Sequence, residues 1–250
     1  MKLETEERIK NLTEKNYLVR ENGFLFRRNK YENSVVLTGE DFENNLLKNH
    51  VVNDLVKFAI KDIEVNDIFD VEIQNTDFLS QIPWIESIKI IVGTHVDKTG
   101  LLNLSKLKKL TCNYSDLPIE ISAFEHLVEA DLLWNSKQNV GNCVSLKSLT
   151  LHKFKSENLI LLRPLKNLTS LKLIVSNFKD VEGIEHLKCL ESLEIYSNSK
   201  ITELDGLTVL SKLKKLWLIK IPKLTSLEFL KKMSLEFISV ENCKNIVDKV

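Results

Sequence analysis

Glycine and proline are scarce, seven and four in 250 residues. That excludes collagen-like tracts, flexible linkers and glycine-rich phosphate loops as an organising theme. No net charge exists either: 35 basic residues balance 35 acidic ones. A nucleic-acid or anionic-membrane binder would show a basic excess. No apolar run approaches the roughly 18 residues of a membrane-spanning helix. The first residues, Met1-Lys2-Leu3-Glu4-Thr5-Glu6-Glu7-Arg8, are charged and carry no apolar signal-peptide core. The four cysteines, at 112, 143, 189 and 243, lie far apart and form no CxxC pair. This reads as reduced thiols in a cytoplasmic protein rather than a disulfide scaffold. Asn113-Tyr114-Ser115 and Asn167-Leu168-Thr169 match the glycosylation pattern by chance under that reading.

What is abundant is leucine. It occurs 41 times, 32 of them between residues 101 and 250. Residues 1 to 62 carry only eight and show no repeat. There the pattern predicts a short polar helix over 4–16. Two strands follow, over 18–28 and 34–37, forming a hairpin around Asn29-Lys30-Tyr31-Glu32-Asn33. A helix then runs from Asp41 to Ile60, with apolar residues at Phe42, Leu46, Leu47, Val51, Val52, Leu55, Val56 and Ala59.

From residue 63 the pattern L-x-x-L-x-L recurs. Its copies begin at Ile85, Leu107, Leu127, Leu146, Leu168, Leu190, Leu213 and Leu235. Successive starts are 22, 20, 19, 22, 22, 23 and 22 residues apart. An earlier copy is read at Ile68-x-x-Val71-x-Ile73. The segments between copies repeat every third residue, as in Ile201, Leu204, Leu207, Leu210 and Leu213. A period of three suits a 3₁₀-like return, whose side chains eclipse at i and i+3. Each repeat is therefore a short strand, a turn and a return, and only stacked neighbours can bury its apolar face.

These residues resemble the leucine-rich repeat family. They look most like the 22-residue class of internalins and of the leucine-rich regulatory subunit of protein phosphatase 1. The resemblance covers residues 63 to 250, about eight to nine repeats. It implies an α/β solenoid with a curved parallel sheet on the concave face and 3₁₀ or irregular returns, and residues 1 to 62 are expected to form an α+β cap. In the family the ninth repeat position is usually Asn or Cys. Asn135, Asn198 and Cys243 match it. Ser115, Phe154, Ser176 and Ile221 depart from it, and irregularity is expected near Phe154 and Ile221. Members of the family mostly bind other proteins, although fold alone does not fix function.

Side chains alternate across a strand. With the repeat anchors pointing inward, the intervening residues face outward. This yields a candidate partner-binding set on the concave face: Tyr114, Glu129, Asp131, Trp134, His152, Lys172, Glu194, Tyr196, Lys215 and Trp217. Exposed Trp and Tyr are frequent interface anchors.

Catalytic signals are weak. The histidines at 50, 95, 126, 152 and 186 form no HExxH and no metal spacing. His152 has no nucleophile in register. The carboxylates Asp70, Glu72, Glu129 and Asp131 read as solvated charges. The pairs Lys108-Lys109, Lys214-Lys215 and Lys231-Lys232 are interleaved with acids and build no phosphate-binding stripe. No P-loop, GxGxxG or GxSxG occurs. The sequence thus predicts a non-enzymatic protein-binding module without cofactor or metal. Its partner would be a protein, not nucleic acid or membrane. Richness in Lys, Glu, Asn and Ile suggests an AT-rich, bacterial genome, and an inhibitor or immunity-type role against a toxin or enzyme is expected of a small chain that is nearly all repeat. The alternatives are a self-associating scaffold and the recognition arm of an enzyme complex. A monomer with at most weak self-association is expected, leaving open whether the last strand is capped.

Overall fold

The structure is a computed structural model and describes residues 2–15, 18–28 and 33–247. It divides into two compact units, up to Ser115 and from Asp116 onward. In the first, helix α1 (Lys2–Glu14) precedes strands β1 (Leu18–Glu21), β2 (Phe24–Arg28) and β3 (Asn33–Leu37). Sequence reading places a single strand over 18–28. The chain instead reverses at Asn22-Gly23, with φ of 52° and 85°. Glu21 pairs with Phe24 across this two-residue turn. Asn-Gly tolerates two successive positive φ angles, as a type I′ hairpin requires. Of the turn expected at 29–33, residues 29–32 lie outside the described residues, and Asn33 begins β3.

The helix expected over 41–60 is also shorter. Asn44 and Asn45 adopt left-handed conformations. They join the two-residue strands β4 (Phe42–Glu43) and β5 (Leu46–Leu47). Helix α2 begins only at Asn49 and ends at Lys57. Apolar spacing suits a helix throughout, but two adjacent asparagines prefer the turn.

The parallel ladder of this unit starts at β6 (Asp62–Asn66), against β3, and continues through β7 (Ser87–Ile91) and β8 (Lys109–Cys112). The copy read at Ile68 is therefore displaced. Residues 67–69 form a 3₁₀ turn, and Asp70 is left-handed at φ 56°. Ile63 and Val65 occupy the inward strand positions, both fully buried. Asp70, Glu72 and Gln74 lie on the following return and not on a sheet face.

The second unit is more regular. Its strands are β9 (Glu129–Leu133), β10 (Ser148–His152), β11 (Ser170–Ser176), β12 (Ser192–Asn198), β13 (Lys215–Ile219) and β14 (Phe237–Glu241). All neighbours are parallel and in register: Ser148 pairs with Glu129 and Ser170, Ser192 with Ser170 and Lys215, and Lys215 with Phe237. The returns carry 3₁₀ turns, among them Ile184–His186, Asp205–Val209 and Glu228–Lys232. The period of three is thus realised as the eclipsed geometry it suggests. Leu149, Leu151, Leu171, Leu173, Leu193, Ile195, Leu216 and Leu218 are at most 1% exposed. They meet return leucines such as Leu162, Leu187 and Leu207, which are fully buried. Each fully buried side chain of this size contributes roughly 1.5–3 kcal/mol.

The ninth position is filled in several chemical ways. Asn198 is fully buried; its Nδ2 donates to Ser176 Oγ and Phe178 O, and its Oδ1 accepts from the N–H of Lys200 and Ile201. Ser115 donates to Val92 O at 2.7 Å. Asn135 itself stays half-exposed, and fully buried Gln138 reaches into the stack, donating to Leu133 O. Phe154 is apolar and equally buried, edge-on to Phe178 at 6.3 Å. The irregularity expected beside Phe154 and Ile221 does not occur. The preceding residues, Lys153 and Lys220, have φ of 56° and 57°, like Ser197 at 59° before Asn198. Val175 and Asn242 do the same. Every repeat from β10 onward turns through one left-handed residue at the same place. Close approach also fixes Gly100, where a Cβ would collide with the Thr76 carbonyl.

Val175 is the least suited occupant of that position, since a β-branched residue is a steric outlier at φ 54°. It is 55% exposed and gives little packing to lose. Val175→Asn is expected to stabilise the protein by about 1 kcal/mol, raising Tm by roughly 2–4 °C for a chain of this size. Thermal unfolding of the two proteins measures the difference; an unchanged or lower Tm contradicts this account.

Candidate functional site

In the second unit the register sorts outward residues into three rows, each crossing the strands. The first row is Glu129, Ser148, Ser170, Ser192, Lys215 and Phe237. The second is Asp131, Thr150, Lys172, Glu194, Trp217 and Ser239. The third is Leu133, His152, Ile174, Tyr196, Ile219 and Glu241. The left-handed residues Lys153, Val175, Ser197, Lys220 and Asn242 border the third row. Neighbours along a row sit about 4.8 Å apart, the inter-strand spacing.

Most of the residues expected from sequence do lie on this face, and the rows bring several together. Asp131 and His152 meet at 2.8 Å. Lys172 and Glu194 pair at 2.9 Å. The Lys172 ammonium also sits 4.8 Å from the Tyr196 ring centroid, a cation–π contact. Trp217 stacks on Phe237 at 4.8 Å, tilted by 39°. Glu129 and Lys215 occupy opposite ends of the first row, both exposed. Two expected residues behave differently. Trp134 is half-buried, edge-on to Phe154 at 4.9 Å, so its ring belongs partly to the aromatic stack under the turn. Tyr114 is 78% exposed but lies in the first unit, after β8.

Ile174, Tyr196 and Ile219 form an apolar stripe along the third row, bordered by Val175, with Leu133 beyond His152 and with the stacked Trp217 and Phe237 extending it across the second and first rows. Strand alternation between the repeat anchors accounts for the outward direction of Ile174 and Ile219. Phe237 needed the observed register, because its strand is barely covered: Phe237 is 44% and Ile238 41% exposed. The serines at 148, 170 and 192 form a low row, separated from the stripe by Thr150, Lys172 and Glu194.

His152 and Asp131 form one half-buried pair, and among the described residues no hydroxyl or thiol is hydrogen-bonded to His152. Among the described residues no group of three or more His, Cys, Asp and Glu could hold a metal. No described helix is long and apolar enough to cross a membrane.

Parallel strands in register, 3₁₀ returns and a buried ninth position define a leucine-rich repeat fold. Solved structures share it. An internalin C2 of Listeria monocytogenes matches with a TM-score of 0.58 at 17% identity, over 76% of this chain and 83% of that one. An internalin, inlF, from the same organism matches with a TM-score of 0.54 at 20% identity, over 78% of this chain and 64% of that one. A leucine-rich repeat protein of Leptospira interrogans matches with a TM-score of 0.56 at 15% identity, over 79% and 58%. At these identities the likeness is one of fold. The matched region spans under two thirds of inlF and of the Leptospira protein. No family model and no curated protein matches the sequence.

Burial raises the Tyr196 phenol above its ordinary value, and the Glu194 charge adds to the shift. A proton-bound phenol is thus favoured by the folded state, so stability falls as pH rises through the ordinary tyrosine range near 10. Ultraviolet titration is expected to place Tyr196, assigned by Tyr196→Phe, above free tyrosine. Glu194→Gln should lower that midpoint. A Tyr196 midpoint at or below free tyrosine would refute the described packing.

Proposed function

We propose that this protein is a non-catalytic binding module whose second unit captures a macromolecular partner on the outward face of its sheet. The observation that carries this reading is the stripe formed by Leu133, Ile174, Tyr196, Ile219, Trp217 and Phe237, set in a rim of paired charges. Aromatic anchors within a polar rim are the usual anatomy of an interface. Within that unit the contact set is Tyr196, Trp217, Lys172, Glu194, His152, Asp131, Glu129 and Lys215, with Trp134 outside its centre; Tyr114 belongs to the first unit and is not part of it. Within this reading the chain is an inhibitor or immunity-type protein. The rows present mixed charge and aromatic area suited to an enzyme or toxin surface. Residues 1 to 62 serve as a cap: β1 to β3 extend the sheet beside β6. Ile9 and Leu12 pack on buried Leu18, Leu25, Val36 and Phe69.

Affinity capture by the full chain, with mass spectrometry, tests this. The control is Tyr196→Ala combined with Trp217→Ala. Each truncation is expected to cost about 2 kcal/mol of binding, roughly 30-fold in Kd. A protein retained equally by both baits would move the site off this face. If the retained protein is a hydrolase, the wild-type chain should inhibit it and the double variant should not.

A second reading, self-association, is favoured by β14. Ile238 is 41% exposed where its equivalents Leu171, Leu193 and Leu216 on β11 to β13 are fully buried. Open strand edges invite pairing. Sedimentation at increasing concentration should then show a dimer that Ile238→Lys abolishes; a concentration-independent monomer eliminates this reading.

A further inference from the structure

We propose that the partner element on the outward face is an acidic amphipathic helix, laid across β10 to β13 with its apolar side on the third row and its acidic flank on Lys153 and Lys220. The proposal rests on the reading that this face is the binding site. Three observations support it.

The first is spacing. The stripe residues Ile174, Tyr196 and Ile219 recur once per strand, that is, about every 4.8 Å. Same-face residues on a helix recur every three or four positions, roughly 4.5–6 Å along its axis. Same-face residues on an extended segment are about 6.6 Å apart and lose step with the row after two strands.

The second is backbone chemistry. The interior strands β10 to β13 exchange their backbone hydrogen bonds with neighbouring strands on both sides. The face therefore offers an incoming chain only side chains. An extended segment buried there would leave its own N–H and C=O groups without partners. A helix satisfies its own.

The third is charge. The border next to the apolar row carries Lys153 after β10 and Lys220 after β13, both exposed and both held outward by a left-handed backbone. Between them stand Val175 and Ser197, with no acidic residue. Of the carboxylates on the face, Asp131 and Glu194 are engaged with His152 and Lys172, and Glu241, at the β14 end of the third row beside Ile219, accepts a hydrogen bond from Ser239 Oγ at 2.9 Å. Three strand steps separate the two lysines, about 14 Å, a span of roughly ten helical residues. Acidic side chains seven to eleven positions apart on one flank would meet both.

The test uses the full chain and two displayed libraries of 16-residue segments. One has an alanine-rich helical frame with a variable stripe and flank. The other has an alternating frame containing proline. Enrichment is expected from the helical frame, with Asp and Glu on one flank. The selected segment, as a synthetic peptide, should gain helical circular dichroism on binding. Its affinity should fall at least tenfold for Lys153→Glu combined with Lys220→Glu, and also for Tyr196→Ala combined with Ile219→Ala. A peptide with its acidic flank changed to lysine should recover affinity for the charge-reversed protein. Enrichment from the alternating frame alone, weakened by Tyr196→Ala, would overturn the helix while keeping the face. Helical binders with a neutral or basic flank would overturn the charge assignment. Binders indifferent to every face variant would overturn both the helix and the site, and enrichment from neither frame would overturn the helix.

Discussion

One constraint governs this molecule: a single strand with its return has an apolar side it cannot bury by itself. Leu171 and Leu173 are fully buried because the rows of β10 and β12 flank them and the return leucines close the layer beneath. Much else follows from that dependence. Strands must be parallel and in register, because a slip of one residue would exchange leucines for lysines and serines. Returns must be compact, and 3₁₀ turns with leucine at every third position achieve it. The buried backbone between layers must be satisfied, and Asn198, Ser115 and Gln138 do so with different side chains.

The repeats were legible because they depend on periodicity, which a sequence states directly. The copies starting at Leu146, Leu168, Leu190 and Leu213 fall on strands at the spacing their leucines prescribe. The first 70 residues were less legible for a local reason. Asn22-Gly23 and Asn44-Asn45 reverse the chain inside stretches whose apolar spacing suits longer elements. A pair of asparagines outweighs the pattern around it, since left-handed geometry there costs less than in any other residue but glycine. The displaced copy near residue 68 has a related cause. Ile68, Val71 and Ile73 imitate the repeat, yet Asn66 caps a 3₁₀ turn at that point by accepting from the Ile68 N–H, and Ile63 and Val65 already fill the inward strand positions.

The outward face was partly legible. Alternation alone placed Tyr196, Trp217, Lys172 and Glu194 there. It could not foresee that Lys172 would serve both Glu194 and the Tyr196 ring, because that depends on strand neighbours 22 residues apart. Nor could it separate Trp134 from the other aromatic residues. Its position resembles theirs, but the large ring of Phe154 beneath the turn draws it edge-on. Phase tells which way a side chain leaves the backbone; its neighbours decide where the side chain ends.

The left-handed residue that recurs at one register position from β10 to β14 has a consequence for how such a protein can change. Lys153, Val175, Ser197, Lys220 and Asn242 share one backbone conformation yet are chemically unrelated. The conformation is imposed by the repeat and its penalty, greatest for a β-branched occupant such as Val175, is borne by the backbone, while the side chain projects away from the core. Substitution there alters what the rim displays without disturbing a leucine. Five such positions, one per strand along an edge of the face, form a palette on which recognition could be rewritten in single steps while the architecture beneath stays constant.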